Sequence, residues 1–456
     1  MDIERVVVVG GSMAGLAAAA TLSTRAREVV VVERHDGLAL PPQAGLPHAM
    51  LVAGALELER LFPGFLQGLR DRGAAAGGPD PTRIPCYWAA AGAVRREQLI
   101  RPTGHVRALC SRALIQEQLR RAVAALPNVT WQHGTVATAA VHGGAVRGVV
   151  LRDGTRVEGD LVVDAGGRER GVPASGQLPE PPTTEVAVDI RYTAFIVERR
   201  PEDLDGAAFA VVQNTPDIPR MGIALPMEDN RWQVAFGGYF GETAPADPDV
   251  ARDYAARVLA DPVLAPLLER PVLEGPRRYT FRAGRRRHWE DARPVPGYVA
   301  VGDAVASFNP IYGQGMTSAL LQARELGRAV DRYGAGRALA SAAPKAVAKA
   351  VDAPWQISTG ADFMYDATVG SRPRGQARIN AYVARVMRAA ARDDQVNLAF
   401  TAVQHLLAPP ATLFSPPVLT RVLLRGDDGR RVTTITPATH EVAGFGSRSS
   451  KVRVAK

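Results

Sequence analysis

Two short, continuous apolar runs, Val6–Val9 and Val29–Val32, flank an Ala-rich stretch from Leu16 to Leu22. Uninterrupted runs of this length predict strands buried on both faces, as in a parallel sheet, and the stretch between them predicts a helix. Residues 5–33 therefore read strand, Gly-rich turn, helix, strand. Leu161-Val162-Val163 and Val299–Val301 carry the same strand signature. Ser111 to Leu126 places Leu114, Ile115, Leu119 and Val123 on one helical face. From Asn128 to Asp164 apolar and polar residues alternate around Gly143-Gly144 and Asp153-Gly154, which predicts hairpins.

The pattern changes after a Pro/Gly/Thr linker over 171–184. Val186, Val188, Ile190 and Tyr192 alternate, as do Trp232, Val234 and Phe236 after the turn signal Asp229-Asn230. This predicts an antiparallel sheet with one face for a core or pocket. Ala53–Phe62 and Gly315–Tyr333 read as helices, 37–50 as loop and Gly64–Pro85 as irregular. Residues 338–425 read as mostly helical, broken at Pro354 and at Pro409-Pro410. The fold class is α/β. Residues 1–184 and 298–340 make a discontinuous nucleotide-binding domain, 185–297 an antiparallel β-sheet substrate domain, and 341–425 a C-terminal helical region. The polar, basic tail 426–456 is expected to be disordered.

Composition narrows the class. Of 456 residues, 46% are hydrophobic and 22% charged, the balance of a soluble globular enzyme. The net charge of +9 comes almost entirely from arginine; the lysines are Lys345, Lys349, Lys451 and Lys456. No basic run is interleaved with aromatics, so a nucleic-acid groove is not expected. No stretch is apolar and uncharged enough to span a membrane. Asp2, Glu4 and Arg5 lead straight into the first strand, unlike a signal peptide. The two cysteines, Cys86 and Cys110, offer no disulfide framework and no metal site. They fit a reducing cytoplasm.

The candidate chemistry lies in the turns. Gly10-Gly11-Ser12-Met13-Ala14-Gly15 ends one strand and opens a helix. It follows G-x-G-x-x-G with Ser12 in the middle position, where a small residue lets backbone approach a pyrophosphate. The helix N-terminus supplies free N–H groups for the phosphates. Glu33, followed by Arg34, ends the second strand, where an acid accepts both ribose hydroxyls of an adenosine. Further on, Gly302-Asp303 is followed by Pro310 and Gly313-Gln314-Gly315-Met316 at the start of a helix. An aspartate there can bind a polyol hydroxyl. The helix dipole would stabilise charge at the N1–C2=O edge of a reduced flavin, a need that NAD lacks. FAD is the cofactor these two turns predict together. Asp164-Ala165-Gly166-Gly167-Arg168 and Arg112 are further cofactor-contact candidates, with a plain strand-end turn and a solvated helix arginine as the alternatives.

These segments, with "SRALIQEQL" and "YVAVGDAVASFNPIYGQGMTSA", resemble the single-component FAD-dependent flavoprotein monooxygenases of glutathione-reductase-type, Rossmann-like fold. Within them the chain is most similar to bacterial polyether-pathway olefin epoxidases and, more distantly, to squalene epoxidase. The resemblance spans roughly residues 5–415. It implies that Gly10, Ser12, Met13, Ala14, Gly15, Glu33 and Arg34 hold the ADP half of FAD. Arg112 and Asp303 would contact the phosphate–ribityl region, and Pro310 with Gly313–Met316 would line the isoalloxazine. Asp164 matches the aspartate of the hydroxylases' DG motif only loosely, which leaves the NADPH or NADH donor, direct or through a flavin reductase, open. The family's His-x-His is reduced here to His48-Ala49-Met50.

The resemblance implies that reduced FAD and O2 form a C4a-hydroperoxide that delivers one oxygen to an electron-rich carbon. The expected substrate is a bulky, apolar natural-product intermediate, a polyketide or terpenoid of secondary metabolism. Epoxidation and hydroxylation both fit. An alkene needs no protein base, whereas a phenol benefits from one, and His48 is the candidate catalytic residue. Trp232, Phe236, Tyr239 and Phe240 are the candidate pocket residues. A carrier protein is a conceivable partner for segment 405–425. A geranylgeranyl-reductase-like enzyme that incorporates no oxygen is the competing reading. Flavin-dependent halogenases share the fold but use an N-terminal lysine and a W-x-W-x-I-P motif, and neither is present here.

Overall fold

The computed structural model describes residues 3–35, 45–169, 171–172, 178–257, 259 and 261–425. The tail 426–456 and parts of the 37–50 loop and of the 171–184 linker lie outside them. In chain order the strands are β1 (Ile3–Val9), β2 (Ala26–Glu33), β3 (Arg83–Ala90), β4 (Ala93–Leu99), β5 (Val129–His133), β6 (Val136–His142), β7 (Ala145–Leu151), β8 (Arg156–Glu158), β9 (Leu161–Asp164), β10 (Thr183–Glu198), β11 (Ala210–Val212), β12 (Arg220–Met227), β13 (Arg231–Tyr239), β14 (Val272–Arg287), β15 (Tyr298–Ala300) and β16 (Ala306–Ser307). The helices are α1 (Met13–Ser23), α2 (Val52–Leu61), α3 (Phe65–Asp71), α4 (Arg112–Ala124), α5 (Pro248–Arg257), α6 (Gly315–Tyr333), α7 (Arg337–Asp362), α8 (Gln376–Ala390), α9 (Asp394–Gln404) and α10 (Pro416–Arg425).

The first sheet runs β15-β9-β1-β2-β5, with parallel pairs throughout. Val6–Val8 and Val29–Val32 are buried because the sheet is covered on both faces, by helices on one and by the strands β6–β8 on the other, which is why these strands are unbroken apolar runs. The alanines of α1 let it lie close to α6: a Cβ on Gly327 would come 2.5 Å from Thr21 Cγ2. A small antiparallel sheet, β6-β7-β8, carries the two predicted hairpins.

The second sheet runs β16-β14-β10-β13-β12-β11-β3-β4. Of its last two strands, β3 begins at the end of the stretch Gly64–Pro85 that reads as irregular, and β4 lies beyond it where the sequence reading assigns no element. β3 has no local signal beyond its hairpin with β4, and its other partner is β11, paired in parallel far along the chain. The two faces are sorted by parity. Phe195, Trp232, Val234 and Phe236 pack under α5, whereas Ile190, Tyr192, Ala235 and Tyr239 face Tyr365 and Leu46. The expected break at Pro354 does not occur, since α7 continues through both Pro344 and Pro354. Ala343, Val347, Val351 and Pro354 are buried along it, and that packing offsets the ~3 kcal/mol a helical proline costs. Among the described residues no helix is long and apolar enough to cross a membrane.

Candidate functional site

Two glycine turns meet at one end of the first sheet. After β1, Gly10 has φ +104°, and a Cβ there would lie 2.7 Å from the Ala165 carbonyl oxygen. A Cβ on Gly15 would lie 1.7 Å from the Gly10 oxygen. No side chain fits at either position, so the chain turns directly into α1 and leaves its first N–H groups facing outward. The Ser12 hydroxyl does not cap α1; it lies 3.2 Å from Gln116 Oε1 and accepts from Arg112 Nη2 at 3.4 Å. Met13 is buried and Ala14 half-buried. Glu33 Oε2 accepts from Gly11 N at 2.6 Å and Oε1 from His35 N at 3.0 Å. Arg34 beside it is exposed and donates to His35 Nε2 at 3.1 Å.

The second turn follows β15. Gly302 has φ +67°, and a Cβ on it would stand 2.5 Å from the Ala14 Cβ, so two turns far apart in the chain touch. Burial pushes the Asp303 carboxyl above its ordinary range, while Arg112 and Arg168 oppose the shift. Pro310 opens a short turn capped by Asn309, Gly313 sits at φ +64°, and α6 begins at Gly315 with Met316 buried beneath. Gln314 is 2% exposed. Its Oε1 and Arg112 Nε are buried and have no hydrogen-bond partner among the described residues.

Both ring nitrogens of His48 are engaged. Its Nδ1–H donates to the Leu46 carbonyl at 2.7 Å, so Nε2 carries the lone pair, and Arg112 Nη1 occupies it at 3.3 Å. Burial, then Arg112, bring its pKa down to about 4. At neutral pH it is an uncharged acceptor that orients Arg112. Asp164 is also reassigned. It is fully buried, and Gly166 N, Gly171 N, Val172 N and the Tyr298 hydroxyl all donate to its carboxylate. No lone pair is left to meet a cofactor, so Asp164 holds the loop after β9.

Beyond the second turn opens a cavity of about 2460 Å³. One wall is Pro47–Leu51 with Pro310–Gln314; the others come from β12, α7, α8 and α9. Of the four expected pocket aromatics only Phe236 reaches its lining, from the α5 side. Trp232 is core: its Nε1 donates to Asp203 Oδ2 at 3.0 Å, and Arg199 lies over its ring. Tyr239 and Phe240 stand one layer behind the wall, against Tyr365. The aromatic and sulfur side chains that do line it include Tyr192, Met221, Tyr312, Trp355 and Met364. Strand parity alone cannot select them, because it gives two faces without saying which one meets the Pro310–Gln314 loop.

Residues 8–40 match the family model of an NAD(P)-binding Rossmann-like domain. The fold is an α/β unit with a Rossmann-like nucleotide-binding core, an antiparallel sheet and C-terminal helices. It superposes on flavin-dependent brominase Bmp2 with a TM-score of 0.63 at 14% identity, covering 93% of this chain and 98% of that one. For p-nitrophenol 4-monooxygenase PnpA from Pseudomonas putida DLL-E4 the TM-score is 0.62 at 19% identity, over 90% and 99% of the two chains. For 2-methyl-3-hydroxypyridine-5-carboxylic acid oxygenase it is 0.59 at 17%, over 89% and 98%. In sequence, the chain is 32% identical over 406 residues to Protein Rv3254 of Mycobacterium tuberculosis, covering 81% of this chain and 83% of the relative. The chain belongs to the family of Protein Rv3254.

Proposed function

We propose that the chain is an FAD-dependent monooxygenase that places one atom of O2 on a bulky, largely apolar organic substrate. The observation that carries this reading is the contact of the two glycine turns, Ala14 against Gly302, with the loop that follows the second turn, Pro310–Gln314, lining the large cavity. A single nucleotide site would need only the first turn.

The residues fit FAD. Gly10 and Gly15 give the backbone close approach that a pyrophosphate requires, and Glu33 stands at the ribose end. Arg112 Nε and Gln314 Oε1 are a buried donor and a buried acceptor that still need partners. Asp303 offers a carboxylate to ribityl hydroxyls, and the α6 N-terminus faces the ring site. FAD, when bound there, supplies the electron and oxygen chemistry. The protein's own share is to bind, to orient the substrate along the cavity, and to exclude water behind its apolar walls. The names of the structural neighbours, two of them oxygenases, support oxygen insertion. The lysine expected of a halogenase is missing from the first 344 residues. A nicotinamide cofactor is the electron donor in this reading, and polyketide or terpenoid intermediates are the substrate class.

The test is turnover of a polyene and aromatic panel by the purified flavoprotein with NADPH or NADH under 18O2. One labelled oxygen in the product is the expected result. A turned-over product without label overturns the monooxygenase reading in favour of a reductase or dehydrogenase.

A further inference from the structure

The side of the cavity built from β3, β11 and α9 carries polar groups that cofactor binding does not use. Behind it, Arg95 of β4 is 4% exposed. Its guanidinium lies 5.2 Å from the ring centre of Trp88 and 5.1 Å from that of Phe400. It donates to the Thr401 hydroxyl at 3.3 Å and to Gln404 Oε1 at 2.7 Å. Among the described residues no carboxylate pairs with it. Burial brings its pKa down to about 10, so it stays charged at neutral pH. Two rings and two neutral oxygens are a thin shell for a buried cation, because such a charge is normally matched by an anion.

Three glutamines near this cation, Gln98, Gln213 and Gln404, line the cavity, and each has its carbonyl oxygen already engaged. Gln404 Oε1 accepts from Arg95, and Gln213 Oε1 accepts from Trp88 Nε1 at 3.2 Å. His405 Nδ1 accepts from the Val52 N–H at 3.2 Å, so its Nε2 carries the proton and donates to Gln98 Oε1 at 2.9 Å. Guanidinium, indole and this imidazole nitrogen can only donate, which fixes the oxygen end of all three amides. Each glutamine therefore keeps its two amide N–H donors, and none of the three nitrogens meets an acceptor among the described residues. Amide donors backed by a fixed positive charge suit an oxyanion and repel a cation.

We propose that Gln98, Gln213 and Gln404, backed by Arg95, bind a carboxylate of the substrate, which makes that substrate an apolar acid rather than a neutral hydrocarbon. The carboxylate supplies the anion that the buried guanidinium lacks. No bond is made or broken there. The subsite stands on β3, β4, the end of β11 and α9, apart from both glycine turns. It would anchor one end of a molecule whose apolar body lies along the cavity. That the bound acid is what the enzyme oxidises rests on the FAD reading; the subsite itself does not.

The test titrates the purified chain, its flavin content read from its spectrum, with decanoate and with methyl decanoate by calorimetry in a carboxylate-free buffer near neutral pH. The acid is expected to bind at least about tenfold more tightly than the ester. Arg95→Met removes the charge and is expected to bind the two alike. Should that variant fail to fold, Gln404→Glu tests the same point. It pairs Arg95 from within the chain, so it is expected to melt higher than the wild type, to keep the ester and to lose the preference for the acid. If acid and ester bind the wild type equally, if neither binds, or if Gln404→Glu keeps the preference, the inference falls, while retained FAD leaves the cofactor reading standing. A chain that holds no FAD yet prefers the acid overturns the cofactor reading and keeps the subsite.

Discussion

Asp303 is where stability and binding pull in opposite directions. Burial raises its carboxyl above the ordinary range, so folding disfavours the charged form of this group. A carboxyl raised on folding stabilises below its ordinary range, and that contribution is lost as pH rises through it. The charged form of Asp303 therefore opposes folding of the apo chain. Asp303→Asn is expected to raise the apo melting temperature and to flatten its dependence on pH. The same change removes a charged acceptor for ribityl hydroxyls, worth about 1.5–3 kcal/mol, or roughly ten- to hundredfold in FAD affinity. Melting curves from pH 5 to 8, beside a flavin-fluorescence titration, check both signs; a variant with unchanged FAD affinity ends the ribityl assignment. His48 shows what sequence can and cannot say at this scale. Its place after the first βαβ unit is legible, but its tautomer depends on the Leu46 carbonyl and on Arg112 from α4. Arg95 is less visible still: a strand arginine usually faces water, and its burial is created by Trp88 from β3 and by Phe400, Thr401 and Gln404 from α9.

Elements with local signals are the ones the sequence states clearly. The valine runs specify β1 and β2, Gly10 and Gly15 specify the turn between β1 and α1, and the apolar face of α4 and the Gly315–Tyr333 helix are read directly. β3 and β4 are missed because their place in the second sheet depends on β11, and the continuity of α7 is missed because only tertiary packing carries a helix across Pro344 and Pro354. The loop after β9 is an intermediate case: "DAGGR" announces a turn, but not that four donors converge on the Asp164 carboxylate. Asp164→Ala leaves those donors without their acceptor, at about 1–3 kcal/mol for each that stays buried and dry. A loss of at least about 3 kcal/mol is expected, seen as a lower urea midpoint at unchanged m-value. FAD affinity of the folded protein should change less than in Asp303→Asn. The reverse ranking would return Asp164 to the cofactor site.

At the scale of the molecule, the proposed cofactor site draws on β1, α1, α4, β15 and the start of α6, so FAD would join the start of the chain to a segment near residue 300. A ligand that binds only the folded form stabilises it by about 2.7 kcal/mol at a hundredfold excess over its Kd. FAD addition is expected to raise a single melting transition. A split into two transitions, only one of which moves, would mean that the two sheets unfold separately and that the nucleotide turns are not coupled to the cavity.

The interleaving of the two sheets also bears on how the chain is made. The central parallel sheet has β15, residues 298–300, as its last-made strand, and the second sheet joins β3 to β11 across more than a hundred residues before β16 completes it. Neither sheet can be finished until about two thirds of the polypeptide has left the ribosome. During synthesis, β1 and β2 can pair while the β9 edge still lacks its neighbour, an open template for other strands. Long-range pairings of this kind fold slowly. The glycine turn that forms first is therefore also the part of the molecule that waits longest for the rest of its site.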